Sequence, residues 1–199
     1  MNYLAHAFLS FGEEKILVGN LVGDFVKGRK RFENYPKNIQ NGILLHRHID
    51  AFTDRHPVLK ESVARLKPTQ NRYASVVVDI LYDYFLANNW SKYSDEPLEV
   101  FANKTYRQLE QNFHLMPEKV SWIFGRMIAD NWLIGYEFEE RMEFTFEKVS
   151  NRVKNDHNML TAIDDLRKHK AVLNDDFQRF FPDLLESTKV EFKKIVLDV

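Results

Sequence analysis

Apolar residues recur at helical spacing along almost the whole chain, and the pattern predicts an all-α protein. Side chains at i, i+3, i+4 and i+7 share one helix face. That spacing predicts helices over 13–27, 37–53, 57–66, 72–91, 96–113, 117–133, 137–153, 157–170 and 175–197, with a short helix or helical turn around 2–10. The stretch "YASVVVDILYDYF" has a β-branched centre, but its apolar residues run past strand length and on to Trp90 without a breaker. It is therefore read as helix. Asp95-Glu96-Pro97 and Met116-Pro117-Glu118 mark helix starts, each with an early Pro and an acidic first turn. Pro36, Pro57, Pro68 and Pro182 punctuate the chain, Pro182 as a break or a kink in the last helix. No repeat, low-complexity tract or linker interrupts the pattern, so one helical domain over residues 1–199, a bundle without substantial sheet, is expected.

Within this apolar background three polar pairs stand out. In "ILVGNLVGDFV" the only polar side chains are Asn20 and Asp24, four apart. His46 and Asp50 are four apart in "GILLHRHID", and Asp79 and Asp83 are four apart in "SVVVDILYDYFLA". Residues i and i+4 lie one above the other on a helix, about 5–6 Å apart at Cβ. A helical wheel over 42–54 puts Leu45, Ile49 and Phe52 on one arc with His46 and Asp50 flanking it, while His48 points elsewhere. The helix carrying Asp79 and Asp83 reads as apolar all round, which predicts that both carboxylates are buried. Two like charges one turn apart in a low-dielectric site repel strongly unless one is protonated or a cation neutralises them. A divalent metal resolves that conflict, and so does a nearby Arg or Lys. His46 alone is equally explained as a hydrogen-bonded core histidine, and His6, in the apolar "NYLAHAFLS", as either a further imidazole ligand or a satisfied buried side chain. Asp54 extends the 46–50 stripe by one turn or closes the helix, and Arg47 is placed to meet a phosphate. His114, His157 and His169 sit in polar, charged contexts and read as surface residues.

Composition narrows the chemistry. The chain has 199 residues, 44% hydrophobic and 29% charged, and no Cys, which excludes disulfides, zinc–thiolate sites and cysteine nucleophiles. Carboxylate and imidazole donors without thiolate suit Mn, Fe, Mg or Zn in a site open to water. The net charge of −1 removes any global attraction to nucleic acid, and no predicted helix is basic enough to read DNA. The one dense basic run is "KGRKR", with Lys27, Arg29, Lys30 and Arg31. Such a run is either a solvated loop or a docking patch for an acidic partner. No apolar run approaches the roughly 20 residues of a membrane span, and "MNYLAHAFLSFGEEK" lacks a cationic leader, so a cytoplasmic protein with no membrane partner is expected. The phosphate-loop, dinucleotide-fold, nucleophile-elbow and H-E-x-x-H motifs are all absent.

"MNYLAHAFLS", "VGNLVGDFVKG", "GILLHRHIDAFTD" and "DILYDYFLANNWS", in this order and spacing over the first ninety or so residues, resemble the acyl carrier protein phosphodiesterase family. The C-terminal half is less distinctive, apart from aromatic patches such as "DNWLIGY" and "FQRFFPDLL". The resemblance implies an all-α fold related to the HD-type metal-dependent phosphohydrolases. It also implies hydrolysis of the phosphodiester that joins the 4'-phosphopantetheine arm to holo-acyl carrier protein, with a divalent cation, typically Mn. Carried over by position, it gives metal or catalytic roles to Asp24, His46, Asp50 and Asp79, and extends to Asp83 and His6. "HRHID" departs from the adjacent His-Asp dyad of the HD proteins. In the mechanism so implied, a metal-activated water attacks the phosphorus, an Asp accepts its proton, Arg47 steadies the phosphate, and Asn20 orients a ligand. The carrier is an acidic protein, for which the 27–31 cations would speed encounter. Two competing readings remain: an HD-like phosphohydrolase of a nucleotide or other small phosphoester, and a non-catalytic helical binding module.

Overall fold

The structure is a computed structural model that describes residues 1–152 and 158–197. His157, read above as a surface residue, lies outside them. Eleven α-helices and no strand occur among the described residues. In chain order they are α1 (Tyr3–Phe8), α2 (Glu14–Val22), α3 (Arg29–Glu33), α4 (Lys37–Arg55), α5 (Pro57–Gln70), α6 (Ala74–Asn88), α7 (Leu98–Gln111), α8 (Glu118–Ala129), α9 (Trp132–Gly135), α10 (Glu139–Arg152) and α11 (Ala162–Leu197).

The centre is the α2–α4 pair. Residues 16–22 of α2 are buried without interruption, and α4 buries Ile39, Gly42, Ile43, His46, Ile49 and Thr53 at three- and four-residue intervals. The two backbones meet at Gly19 and Gly42. A Cβ at Gly19 would lie 2.2 Å from the Ile39 carbonyl oxygen, and one at Gly42 would lie 2.3 Å from that of Ile16. Only glycine permits this approach, and it brings the C-terminal end of α2 against the middle of α4.

Several boundaries differ from those expected. The helix expected over 13–27 ends at Val22 and passes into a 3-10 turn, Gly23–Phe25, so Asp24 sits on a tighter turn rather than on the face of Asn20. The short α3 was not foreseen. The two helices expected over 157–170 and 175–197 are one: α11 runs through 171–174 and through Pro182 over 36 residues, about 54 Å. Residues 171–174, "AVLN", hold neither Gly nor Pro, and Leu173 packs in the core. Likewise α5 continues past the expected end at 66 and includes Pro68 in its last turn. Finally, α6 is buried all round only over its second half, 80–87; Val76 near its start is exposed.

Candidate metal centre

Short α1 is anchored before it can carry chemistry. Its N-cap, Asn2, accepts from the Tyr3 N–H through its side chain. Asp83 of α6 accepts from the N–H groups of Asn2 (3.3 Å), Leu4 (2.7 Å) and Ala5 (3.3 Å). Helix N-termini expose such unpaired donors with a partial positive charge, and a carboxylate satisfies both. Burial nevertheless pushes the Asp83 carboxyl up to about 7, against the lowering effect of the amino terminus and these donors. Anchored this way, α1 holds His6 beside α4.

His6 has one tautomer available when neutral. Asn20 Nδ2 donates to the His6 carbonyl (2.8 Å) and to Ser10 Oγ (3.0 Å), so its Oδ1, 2.7 Å from His6 Nδ1, must be the acceptor. Nδ1 therefore carries the hydrogen and Nε2 presents a lone pair. Burial lowers the pKa of His6, and the charge of His46 adds to this, which favours the neutral ring. Yet Nε2 lies 3.3 Å from Asp50 Oδ1. A lone pair facing a carboxylate is repulsive, and a cation between them removes the repulsion.

Asp50 is the hub. Its other oxygen, Oδ2, lies 3.1 Å from His46 Nε2, and that nitrogen is also 3.4 Å from Asp24 Oδ1. The His6 and His46 rings stack at 4.4 Å. Gly23 backs onto the His46 ring so closely that a Cβ there would lie 2.3 Å from His46 Cγ. His46 Nδ1 is buried with no partner among the described residues, so stacking and packing, together with the Nε2 contacts to Asp50 and Asp24, orient this ring. Burial lowers the His46 pKa, but hydrogen bonds to Asp24 and Asp50 outweigh it and push it up to about 9. Asp24 falls below the ordinary carboxylate range because of the His46 hydrogen bond. Asp50 falls too: burial would raise it, and His46 overrides that. A proton on His46 thus balances the carboxylates in the metal-free site.

His6, His46 and Asp50 each offer a donor atom within 4.8 Å of the others, a group that could hold a divalent metal. The donor set and the uncompensated Nε2 lone pair both fit a cation. Asp24 stands at the rim, its side chain 67% exposed. The group opens into a cavity of about 330 Å³ lined by Asp24, Asp50, Asp54 and Asp79 among others.

The structure does not bring Asp79 and Asp83 into this group. Asp79 Oδ1 accepts from the Met1 amino group at 3.0 Å, and Asp83 caps α1. The repulsion between these two carboxylates is relieved by the chain's own positive groups, neither of which has a side-chain signature in sequence. Asn20 does orient an imidazole, that of His6. Arg47 is exposed, its guanidinium 5.1 Å from the centre of the Phe32 ring. His48 and His56 face α11, contacting Ser187 and Asp183. Among the basic run, Lys27 and Arg31 line a separate wide cleft, whereas Arg29 pairs with Glu33. Two contributors were missed. Gly23 reads as a helix residue in sequence, and Ser10 gave no signal beyond its place four residues after His6.

Residues 1–184 match the family described as acyl carrier protein phosphodiesterase. Relatives of that name include one from Enterobacter sp. (strain 638), 30% identical over 194 residues, covering 95% of this chain and 98% of that protein. Another, from Klebsiella pneumoniae subsp. pneumoniae, is 32% identical over 190 residues, covering 93% and 96%. A third, from Photorhabdus laumondii, is 30% identical over 197 residues, covering 95% and 96%. No solved structure matches. No helix among the described residues is long and apolar enough to cross a membrane. With a family match over nearly its whole length and the histidine–carboxylate group in place, the chain belongs to the acyl carrier protein phosphodiesterase family.

Proposed function

We propose that this chain acts as a single cytoplasmic domain that hydrolyses the phosphodiester between the serine of holo-acyl carrier protein and its 4'-phosphopantetheine arm. The observation that carries the reading is the His6 Nε2 lone pair held against the Asp50 carboxylate, beside His46 and open to a cavity. His6, His46 and Asp50 would hold a divalent cation, and Mn is the proposed ion because an imidazole–carboxylate set without thiolate suits it. When bound, such an ion supplies Lewis-acid neutralisation of the phosphoryl oxygens and acidifies an attacking water.

The protein's own groups do the rest. Asn20 keeps the His6 hydrogen on Nδ1, so Nε2 stays free to ligate. Asp24, exposed at the rim and ionised at neutral pH, accepts the proton of the attacking water. Arg47, exposed and next to His46 in the chain, steadies the phosphate. Water oxygen bonds to phosphorus, the bond from phosphorus to the serine oxygen breaks, and that oxygen takes up a proton. Phosphopantetheine and apo-carrier result. Asp83 acts indirectly by anchoring the helix that carries His6.

The test is to incubate the purified protein with Mn and holo-carrier and weigh the carrier, for the wild type and for Asp24→Ala. Loss of the phosphopantetheine mass with the wild type, and its retention with the variant, is expected. Activity on small phosphoesters alone would instead establish the HD-like small-substrate enzyme.

A further inference from the structure

The rim residue Asp24 lines two openings of very different character. One is the acidic cavity of about 330 Å³. The other is a wide cleft of about 1070 Å³ between the 25–36 segment and the start of α8. Its charged lining among the described residues is Lys27, Arg31 and Lys119, with His114 beside them, and Asp24 is the only carboxylate among those residues. All three cations are exposed, and none has a carboxylate partner among the described residues. Their apolar neighbours in the cleft include Tyr35, Leu115 and Val120. One turn beyond Lys119 on α8, Trp122 is 68% exposed.

We propose that this cleft and Trp122 form the docking surface for an acidic face of the carrier protein. The proposal rests on the phosphodiesterase reading above. A phosphodiester has two arms, and its phosphorus must reach the His6–His46–Asp50 group. A folded protein cannot enter the 330 Å³ cavity, whose carboxylates would also repel an acidic one, so the protein arm leaves by the wide side. There the three unpaired cations attract it and speed its encounter. An exposed Trp beside Arg and Lys is the composition that dominates binding energy at protein interfaces. The basic run seen in sequence is thus divided. Lys27 and Arg31 face the partner, Arg29 is tied to Glu33, and the matching charge comes from Lys119, almost ninety residues away.

The test uses apo-carrier protein, which keeps the protein surface but has no arm to hydrolyse. Titrating it into the wild-type enzyme by calorimetry is expected to show binding that weakens as salt rises. The K27E/R31E/K119E variant is expected to bind at least about tenfold more weakly, and Trp122→Ala several-fold more weakly at every salt concentration. Turnover of bis(p-nitrophenyl) phosphate with Mn should be the same in wild type and charge-reversed variant, which also shows that the variant is folded. Equal binding of apo-carrier by wild type and variant, or no binding by wild type, overturns the proposal. So does an equal loss of small-diester turnover. If instead the wild type fails to release phosphopantetheine from holo-carrier, the proposed activity falls, while apo-carrier binding still reports on the cleft.

Discussion

Two carboxylate neighbourhoods meet the α1 segment, and in sequence they look alike. Each contains an acidic residue four positions from a second polar group on an apolar helix. In the structure they are opposites. Asp83 is fully buried and surrounded by donors, the backbone N–H groups of Asn2 and of Leu4 and Ala5 in α1, with Asp79 beside it on the amino terminus. Asp50 meets two imidazoles, one of which offers it a lone pair instead of a hydrogen. One neighbourhood is satisfied by fixed donors of the chain, and the other is balanced, without metal, only by an exchangeable proton on His46. A helical repeat determines which side chains share a face; the groups arriving from elsewhere in the chain determine whether that face is closed or reactive.

The sharpest way to break this comparison is to remove the hub. Asp50→Ala should lower carrier hydrolysis by about a thousandfold or more, the scale of losing metal-assisted chemistry, and abolish stabilisation by Mn. Its melting temperature without metal should change little. Activity assays and thermal scans with and without Mn check this. Wild-type-like turnover would mean that the reactive neighbourhood is elsewhere.

Asp83 gives the next largest effect, in stability and with a definite pH sign. Its folded-state pKa of about 7 lies above the ordinary carboxylate value near 3.8. Between these values the folded chain holds a proton that the unfolded chain has released, so stability falls as pH rises from about 4 to 7. The full effect approaches about 4 kcal/mol, three pKa units at about 1.4 kcal/mol each. In Asp83→Asn this slope should vanish, and the variant should lose about 2 kcal/mol near pH 5, because an amide offers one acceptor oxygen to three N–H groups. Urea denaturation of both proteins at pH 5, 6 and 7 measures the difference.

At the other site the proton on His46 competes with the ion. The raised pKa, about 9, means that metal binding must displace a proton at neutral pH. The apparent affinity for Mn should therefore rise about tenfold for each pH unit from about 6.5 to 9, with about one proton released per ion. Calorimetry in buffers of different ionisation enthalpy reads that proton directly. A pH-independent affinity would place the ion away from His46.

How much of this was legible follows from where each partner comes from. His46 and Asp50 can be paired from sequence because both lie on α4, and Asn20 stands out because residues 16–22 of α2 are otherwise apolar. Asp24 stands out for the same reason, but it does not share a helix face with Asn20. The expected α-helix tightens into a 3-10 turn at Gly23, where a Cβ would strike His46. His6 was visible as an imidazole in an apolar segment, though nothing local shows that Asn20 fixes its tautomer. The partners of Asp79 and Asp83 were illegible because they are an amino terminus and backbone N–H groups, which every chain has. Helix type was readable nearly throughout. The expected last helix already runs through Pro182; the continuity of α11 across the expected gap at 171–174 is not readable, because core contacts such as that of Leu173 carry it there.

The smallest predicted effect sharpens the comparison most finely, because Asp79 borders both neighbourhoods. It lines the acidic cavity with Asp24 and Asp50, yet its Oδ1 holds the Met1 amino group at 3.0 Å. That amino group is buried. Burial lowers its pKa, and Asp79, with smaller help from Asp50 and Asp83, more than restores it, so the amino group is charged at neutral pH. Asp79 itself is 34% exposed, and solvent screening limits what the pair contributes. Asp79→Asn should therefore lower stability by only about 1 kcal/mol, since Asp83 still anchors α1. Mn affinity should stay within a few-fold of wild type, because the His6–His46–Asp50 group is untouched. Thermal denaturation and Mn titration of the variant decide the matter. A loss of Mn binding as complete as that expected for Asp50→Ala would make Asp79 a ligand and join the two neighbourhoods into one site.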